Sequence, residues 1–337
     1  MITISVDAMG GDFAPSEVIK GCLTGAREFG VALTFCGPQD RIQPELEKYS
    51  LAGLNVEIAH TDEYLVEGEQ PAYTLRIKRN ASVALAVKML KSGRAQAMLG
   101  FGPTGGIMAA AVTYLGTLEG ISRPVVGGGF LGLAPQMITM DLGGNLDCRP
   151  DQLLDFAIVG TVYASKMMGI VNPSVGILSV GWEEGKGNEQ VKSAYPLLKA
   201  SGLNFIGNLE GNDVPAGKAN VVICDGFVGN VMVKYSEGLG AVIAGWLEGE
   251  LAGKLPSTEV QNIKEKLLRL TVPADTTGGG PIWAVNGVVF KGHGRSRAPE
   301  IAVTVGTAKQ VVEADVLGTL KRELARIKNR PAQPAPG

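Results

Sequence analysis

Val175-Gly176-Ile177-Leu178-Ser179-Val180 runs into Gly181-Trp182-Glu183-Glu184-Gly185-Lys186-Gly187-Asn188-Glu189, and Val191 to Ala200 follows. The first run reads as a buried strand and the last as a helix. Between them lies a glycine-rich turn carrying one lysine. Glycines let backbone approach a ligand, a helix start offers free N–H groups, and the lysine adds a point charge. This order is a recipe for holding an anion. Its repetition along the chain also decides the fold class.

Working outward, Ile2–Val6, Val31–Cys36, Val56–Ala59, Ala95–Leu99, Pro124–Gly128, Gln136–Leu142, Phe205-Ile206 and Val221–Cys224 read as further strands. Helices are expected from Ser16, as the N-cap, to about Phe29, from Pro44 to Tyr49 and from Ser82 to Leu90. Others run from Ile107 to Leu115, from Leu153 to Met168 and from Asn230 to about Trp246. Thr258–Leu270 and Ala298–Ile327 complete the set, and Asn286-Gly287 signals a hairpin. Short apolar strands alternating with helices argue a doubly wound, mostly parallel α/β sheet in three layers. No linker interrupts the pattern. We read residues 1–328 as one α/β catalytic unit with two lobes sharing a sheet, and the proline-rich 329–337 as a disordered tail.

Composition narrows the function classes. Formal net charge is −2, so no global basic surface favours nucleic acid, and any anion site must be built locally. The chain opens on an apolar strand without a basic stretch before it, so no signal peptide is expected. No apolar run approaches the roughly 20 residues of a membrane span. Cys22, Cys36, Cys148 and Cys224 are scattered without CxxC spacing and read as buried thiols of a cytosolic protein. His60 and His293 are the two histidines, too few to favour a histidine metal site or a serine triad. Neither a metal nor a cofactor is expected.

In parallel α/β sheets ligands bind beyond the strand C-terminal ends, and the unusual turns fall there. Asp7-Ala8-Met9-Gly10-Gly11-Asp12 follows the first strand but lacks the GxGxxG spacing of a dinucleotide site. Gly100-Phe101-Gly102-Pro103-Thr104-Gly105-Gly106 leads into a helix, with the Thr104 hydroxyl and the N–H groups near Gly105 and Gly106 available. A structural turn explains either loop equally simply. Lys186 could be a solvated surface lysine or a partner of Glu183 or Glu184. Asn230, in Asp225-Gly226-Phe227-Val228-Gly229-Asn230, could cap a helix or donate to a developing oxyanion. Cys224 has no neighbour in sequence that would lower its pKa. Lys291-Gly292-His293-Gly294-Arg295-Ser296 suits an anion or a proton transfer.

Taken in order, these motifs resemble the PlsX family of bacterial acyl-acyl-carrier-protein:phosphate acyltransferases over roughly residues 2 to 320. The likeness rests on Val6-Asp7-Ala8-Met9-Gly10-Gly11-Asp12 with Ala14-Pro15, on Gly185-Lys186-Gly187, and on Gly207 with Glu210-Gly211. Asp225 to Asn230, Glu237-Gly238, and His293-Gly294 with Ser296 extend it. The resemblance implies a fold similar to phosphate acetyltransferases and isopropylmalate-type dehydrogenases. It implies transfer of a fatty acyl group from acyl carrier protein to inorganic phosphate, the acyl phosphate then feeding a membrane glycerol-phosphate acyltransferase in phospholipid synthesis. Lys186 and Asn230 carry over as catalytic. The loops of Asp7, Gly10, Gly11 and Asp12, of Thr104 to Gly106, of Asp141 to Asn145, and of His293-Gly294 carry over as cleft lining, with Gly185, Gly187 and Asp225 binding substrate. The family further implies a cytoplasmic homodimer with peripheral contact at the inner membrane face.

The chain departs from that pattern in places. Gly100-Phe101-Gly102-Pro103-Thr104-Gly105-Gly106 stands where the family usually reads Ser-Ala-Gly-Asn-Thr-Gly-Ala, and Pro103 removes an amide side chain and a backbone N–H. Gly144 replaces an alanine, and Ile282-Trp283-Ala284 a Leu-Leu-Gly type stretch. Two alternatives stay open: a phosphate acetyl- or butyryltransferase using coenzyme A, and a non-catalytic acyl-carrier-binding relative, which Pro103 would favour. Between Trp246 and Pro273, Leu247, Leu251, Leu255, Ile263, Leu267, Leu268 and Leu270 form apolar stripes suited to core, dimer or membrane contact.

Overall fold

The computed structural model describes residues 1–66, 68–271 and 279–328, and the chain divides into two compact units. The first comprises Met1–Pro124 and Thr277–Lys321; the second comprises Val125–Thr276 and the residues from Arg322 on. The tail expected to be disordered, 329–337, lies outside the described residues.

In the first unit the strand order is β3 (Val56–His60), β2 (Ala32–Gly37), β1 (Thr3–Asp7), β4 (Ala97–Gly100), β11 (Val288–Gly292) and β10 (Gly279–Trp283). All neighbours are parallel except β10 and β11, which form an antiparallel hairpin. Every residue of β2 and β4 is buried, as required of strands covered by helices on both faces. Edge strand β3 is covered less completely, with Glu57 and His60 exposed and Val56, Ile58 and Ala59 half-buried. The covering helices are α1 (Ser16–Phe29), α2 (Gln39–Leu46), α3 (Pro71–Ile77), α4 (Ser82–Lys91), α5 (Thr104–Tyr114) and α10 (Ala298–Glu313).

In the second unit the order is β5 (Val125–Gly128), β6 (Ile138–Met140), β9 (Val221–Ile223), β7 (Ser174–Leu178) and β8 (Asn204–Leu209). Only β5 is antiparallel to its neighbour. Helices α6 (Pro150–Met168), α7 (Glu189–Ala200), α8 (Gly226–Leu251) and α9 (Ser257–Thr271) belong to it. The mostly parallel α/β architecture expected from the strand–helix alternation holds in both units.

Element boundaries moved where local chemistry outweighs periodicity. Helix α2 begins five residues before Pro44, because the Pro38 carbonyl accepts from Arg41 and Ile42 and the turn buries Ile42 and Leu46. Ser16 is the first helical residue of α1 rather than its cap; Pro15 occupies that position. The long final helix is two helices, α10 and α11 (Val316–Lys328), separated at Asp315, whose φ of 48° is left-handed. Helix α3 and strand β10 carried no periodic signal, since Gly279-Gly280-Pro281 reads as turn chemistry. No helix among the described residues is long and apolar enough to cross a membrane.

Candidate active site

Each unit gathers its unusual turns at the C-terminal ends of three neighbouring parallel strands, the position such sheets favour for ligands. In the first unit these strands are β1, β4 and β11. In the second they are β6, β9 and β7.

The turn after β1 is anchored by Asp7. Its Oδ1 accepts from the Met9 N–H at 3.2 Å, and the side chain is buried. Burial pushes the Asp7 carboxyl above the usual carboxylate range, against hydrogen bonds from the Ser82 side chain and the Met9 and Gly10 N–H groups. The Asp12 N–H donates to the Gly294 carbonyl at 2.9 Å, tying this turn to the one after β11. His293, half-buried, precedes Gly294, and its carbonyl accepts from the Ser296 N–H. Gly10, Gly11, Asp12, Thr104, Lys291 and Gly294 line a cavity of about 320 Å³. Lys291 is the cation of this cavity; it lay inside a noted motif but was not itself singled out from sequence.

Pro103 sits at the N-cap of α5, with its carbonyl accepting from the Gly106 and Ile107 N–H groups. The N–H it lacks therefore precedes the helical residues. Thr104, Gly105 and Gly106 form the first turn; the Gly106 N–H is taken by Pro103, and those of Thr104 and Gly105 are the ones this helix start presents to an anion. Proline at this position changes the loop without removing the donors of the helix.

In the second unit, Lys186 lies on the exposed loop between β7 and α7. Its N–H donates to the Glu183 carbonyl at 3.0 Å. Glu184 pairs instead with Lys199 at 3.0 Å, and no ion pair engages the Lys186 ammonium among the described residues. Gly187 has φ of +115°, and a Cβ there would meet Val191 at 2.7 Å, so the residue after the lysine must be glycine. Gly185 meets nothing within 4 Å and has no such requirement. Asn188 caps α7, its side chain accepting from the Val191 N–H at 2.9 Å. Buried Asn208 on β8 holds the loop from below: its Nδ2 donates to the Glu183 carbonyl at 2.7 Å and reaches the Lys186 carbonyl at 3.4 Å. Nothing in the sequence around Asn208 signals that role.

Asp225 caps α8, accepting from the Val228 N–H at 2.8 Å. Asn230 is thus the fifth helical residue and is relieved of capping; its side-chain amide is exposed and makes no hydrogen bond among the described residues. Its Nδ2 stands 3.0 Å from where a Cβ on Gly143 would lie. The helix start approaches the turn after β6 so closely that a Cβ at Gly229 would collide with the Asp141 carbonyl. Fully buried Asp141 organises that turn. Its Oδ1 accepts from the Gly143 and Gly144 N–H groups at 3.0 and 2.8 Å, and its Oδ2 from the Asn145 amide at 2.7 Å. Burial raises its carboxyl despite those donors. The Asn145 carbonyl in turn accepts from the Gly226 N–H at 2.7 Å. With both oxygens engaged, Asp141 is a scaffold for the turn rather than a free base.

Cys224 is no nucleophile. Burial first, then the charges of Asp141 and Asp225, push its thiol well above the ordinary value. Among the described residues no group of three or more His, Cys, Asp or Glu could hold a metal ion.

Compared with known proteins, residues 2–319 match the family model described as fatty acid synthesis protein. The phosphate acyltransferase of Thermoanaerobacterium thermosaccharolyticum is 39% identical, covering 96% of this chain and 97% of the relative. That of Moorella thermoacetica is 40% identical over 94% of each. Among solved structures, a phosphotransacetylase from Streptococcus pyogenes superposes with a TM-score of 0.62 at 17% identity, covering 93% of this chain and 94% of the other. A branched-chain phosphotransacylase from Enterococcus faecalis gives 0.56 at 16% identity, covering 93% and 99%. At those identities the likeness is one of fold.

Proposed function

Because the chain belongs to the PlsX family of phosphate acyltransferases, matched along nearly its whole length, we propose that it transfers a fatty acyl group from acyl carrier protein to inorganic phosphate. The product is an acyl phosphate for phospholipid synthesis. The observation that carries a catalytic rather than a binding role is Asn230. Asp225 has taken over the capping duty, and the Asn230 amide, beside the Gly143 turn, has no hydrogen-bond partner among the described residues.

A phosphate oxygen attacks the thioester carbonyl carbon. The tetrahedral intermediate then collapses with cleavage of the C–S bond, and the carrier leaves as a thiolate that takes up the proton lost by the attacking hydrogen phosphate. Phosphate is itself the nucleophile, so none is required of the protein, in keeping with the high thiol pKa of Cys224. Lys186 neutralises phosphate or the oxyanion; Asn230 donates to the oxyanion. Holding phosphate beside the thioester supplies proximity, worth several kcal/mol in well-oriented systems. Within the second unit, Gly185, Gly187, Asp225 and Asn145 are the substrate-binding residues. Within the first, they are Asp7, Gly10, Gly11, Asp12, Thr104, Gly105, Gly106, His293 and Gly294.

The donor is tested by comparing acyl carrier protein and coenzyme A thioesters of one acyl group, with phosphate present or omitted. Phosphate-dependent loss of the carrier thioester at a higher kcat/KM supports this reading. Preference for coenzyme A would place the chain with the phosphotransacylases, and no phosphate dependence would make it a binding protein.

We also propose a cytoplasmic homodimer that meets the inner membrane face and passes product to a membrane glycerol-phosphate acyltransferase. What supports the dimer is α8. Phe227, Val231, Tyr235, Leu239, Val242 and Trp246 recur at helical spacing and are all exposed. The leucines expected to form this face behave differently: Leu247, Leu251, Leu255, Ile263, Leu267 and Leu268 are half-buried, and α8 packs against α9. Val242→Glu with Trp246→Glu is expected to yield monomers in sedimentation. An unchanged mass would reject α8 as the interface.

A further inference from the structure

The second unit contains an apolar cavity of about 180 Å³ that the chemistry above leaves unused. Leu153, Ile177, Leu178, Val191, Cys224 and Val228 contribute to its walls. Gly187, the residue after Lys186, and Asp225 also line it, so it opens at the proposed catalytic loop. Val180, 80% exposed, extends its apolar lining outward to solvent. One polar group stands out. The Ser179 hydroxyl oxygen is buried and has no hydrogen-bond partner among the described residues, and it lies 3.1 Å from where a Cβ on Gly187 would stand. A buried unpaired hydroxyl of this kind calls for a ligand or water to satisfy it.

We propose that this cavity receives the carbonyl-proximal part of the acyl chain, with the Ser179 hydroxyl donating to the acyl group's polar end. The inference rests on the acyltransferase reading and adds to it where the chain is held. Size and chemistry agree. A dry apolar cavity of about 150 Å³ takes up benzene, so this one accommodates about six chain carbons. The remaining carbons leave past Val180. An apolar cavity lined by Trp283, Val285 and Leu320 in the first unit, about 10 Å³, is too small for any chain.

The readout is the ratio of kcat/KM for hexadecanoyl over butanoyl thioesters of acyl carrier protein, measured for wild type, Val228→Trp and Val180→Trp. Val228→Trp fills the cavity, and Val180→Trp obstructs its rim at an exposed site that folding tolerates. Val180→Trp is expected to lower the ratio at least tenfold, and Val228→Trp to lower kcat/KM for both thioesters at least tenfold, each at unchanged KM for phosphate. Where butanoyl turnover is too slow to measure, the hexadecanoyl kcat/KM is expected to fall at least tenfold on its own. Ser179→Ala is expected to weaken both donors alike without lowering thermal stability. A wild type that turns over neither donor defeats the acyltransferase reading itself. An active wild type whose two tryptophan variants stay within twofold of its values defeats the cavity assignment alone.

Discussion

Asn208 holds Lys186 by its backbone: the Asn208 amide nitrogen lies 3.4 Å from the Lys186 carbonyl oxygen and 2.7 Å from that of Glu183. A buried side chain on β8 thus fixes an exposed lysine on the neighbouring strand's loop. Asn208→Leu keeps the volume and removes the donor. It is expected to cost roughly 1–2 kcal/mol in stability and to lower kcat with the loop loosened. Hydrogen exchange across residues 183–187 checks it; unchanged protection together with unchanged kcat would contradict the anchoring role.

Gly185 and Gly187 flank the same lysine but are not equivalent. Gly187→Ala is expected to cost more than about 1 kcal/mol, from its positive φ and the contact with Val191. Gly185→Ala, with open space around it, is expected to stay within about 0.5 kcal/mol. Urea midpoints of the two variants distinguish them directly.

These details show what the sequence could and could not convey. The strand–turn–helix order and the glycine-rich turns were readable, because apolar runs and glycine turns are local signals. Asn208 and Ser179 were not, because their importance comes from parallel pairing of β7 with β8 and β9, which joins residues distant in the chain. The capping assignment also required structure. Asn230 was the cap candidate read from the sequence, and the hydrogen bond from the Val228 N–H makes Asp225 the cap instead.

That decision separates stability from catalysis. Asp225→Ala is expected to lose about 1 kcal/mol as α8 loses its cap. Asn230→Ala, which breaks no hydrogen bond among the described residues, is expected to remain within about 0.5 kcal/mol while losing turnover. Thermal melts and initial rates on both variants check the split, and a large stability loss in Asn230→Ala would overturn it.

Asp141 gives a pH signature. Its carboxyl is raised above 3.8 by burial, so the folded state binds the proton more tightly than the unfolded chain. Stability from this group is full below 3.8 and declines as pH climbs from there through the folded pKa. The unfolding free energy of wild type minus that of Asp141→Asn is therefore expected to fall with rising pH over that window and then level off. Asp141→Ala, which strands three donors, is expected to cost roughly 3 kcal/mol. A wild-type-minus-Asn difference that rises with pH would contradict the burial argument.

The central claim is that Lys186 and Asn230 stabilise charge during acyl transfer to phosphate. The most direct measurement is acyl phosphate formed from acyl-acyl carrier protein and inorganic phosphate by wild type, Lys186→Ala and Asn230→Ala, each confirmed folded. The account expects phosphate-dependent product from wild type and a loss of kcat on the order of 10²-fold in each variant, larger than any change in KM. Near-normal acyl phosphate formation by both variants would contradict it.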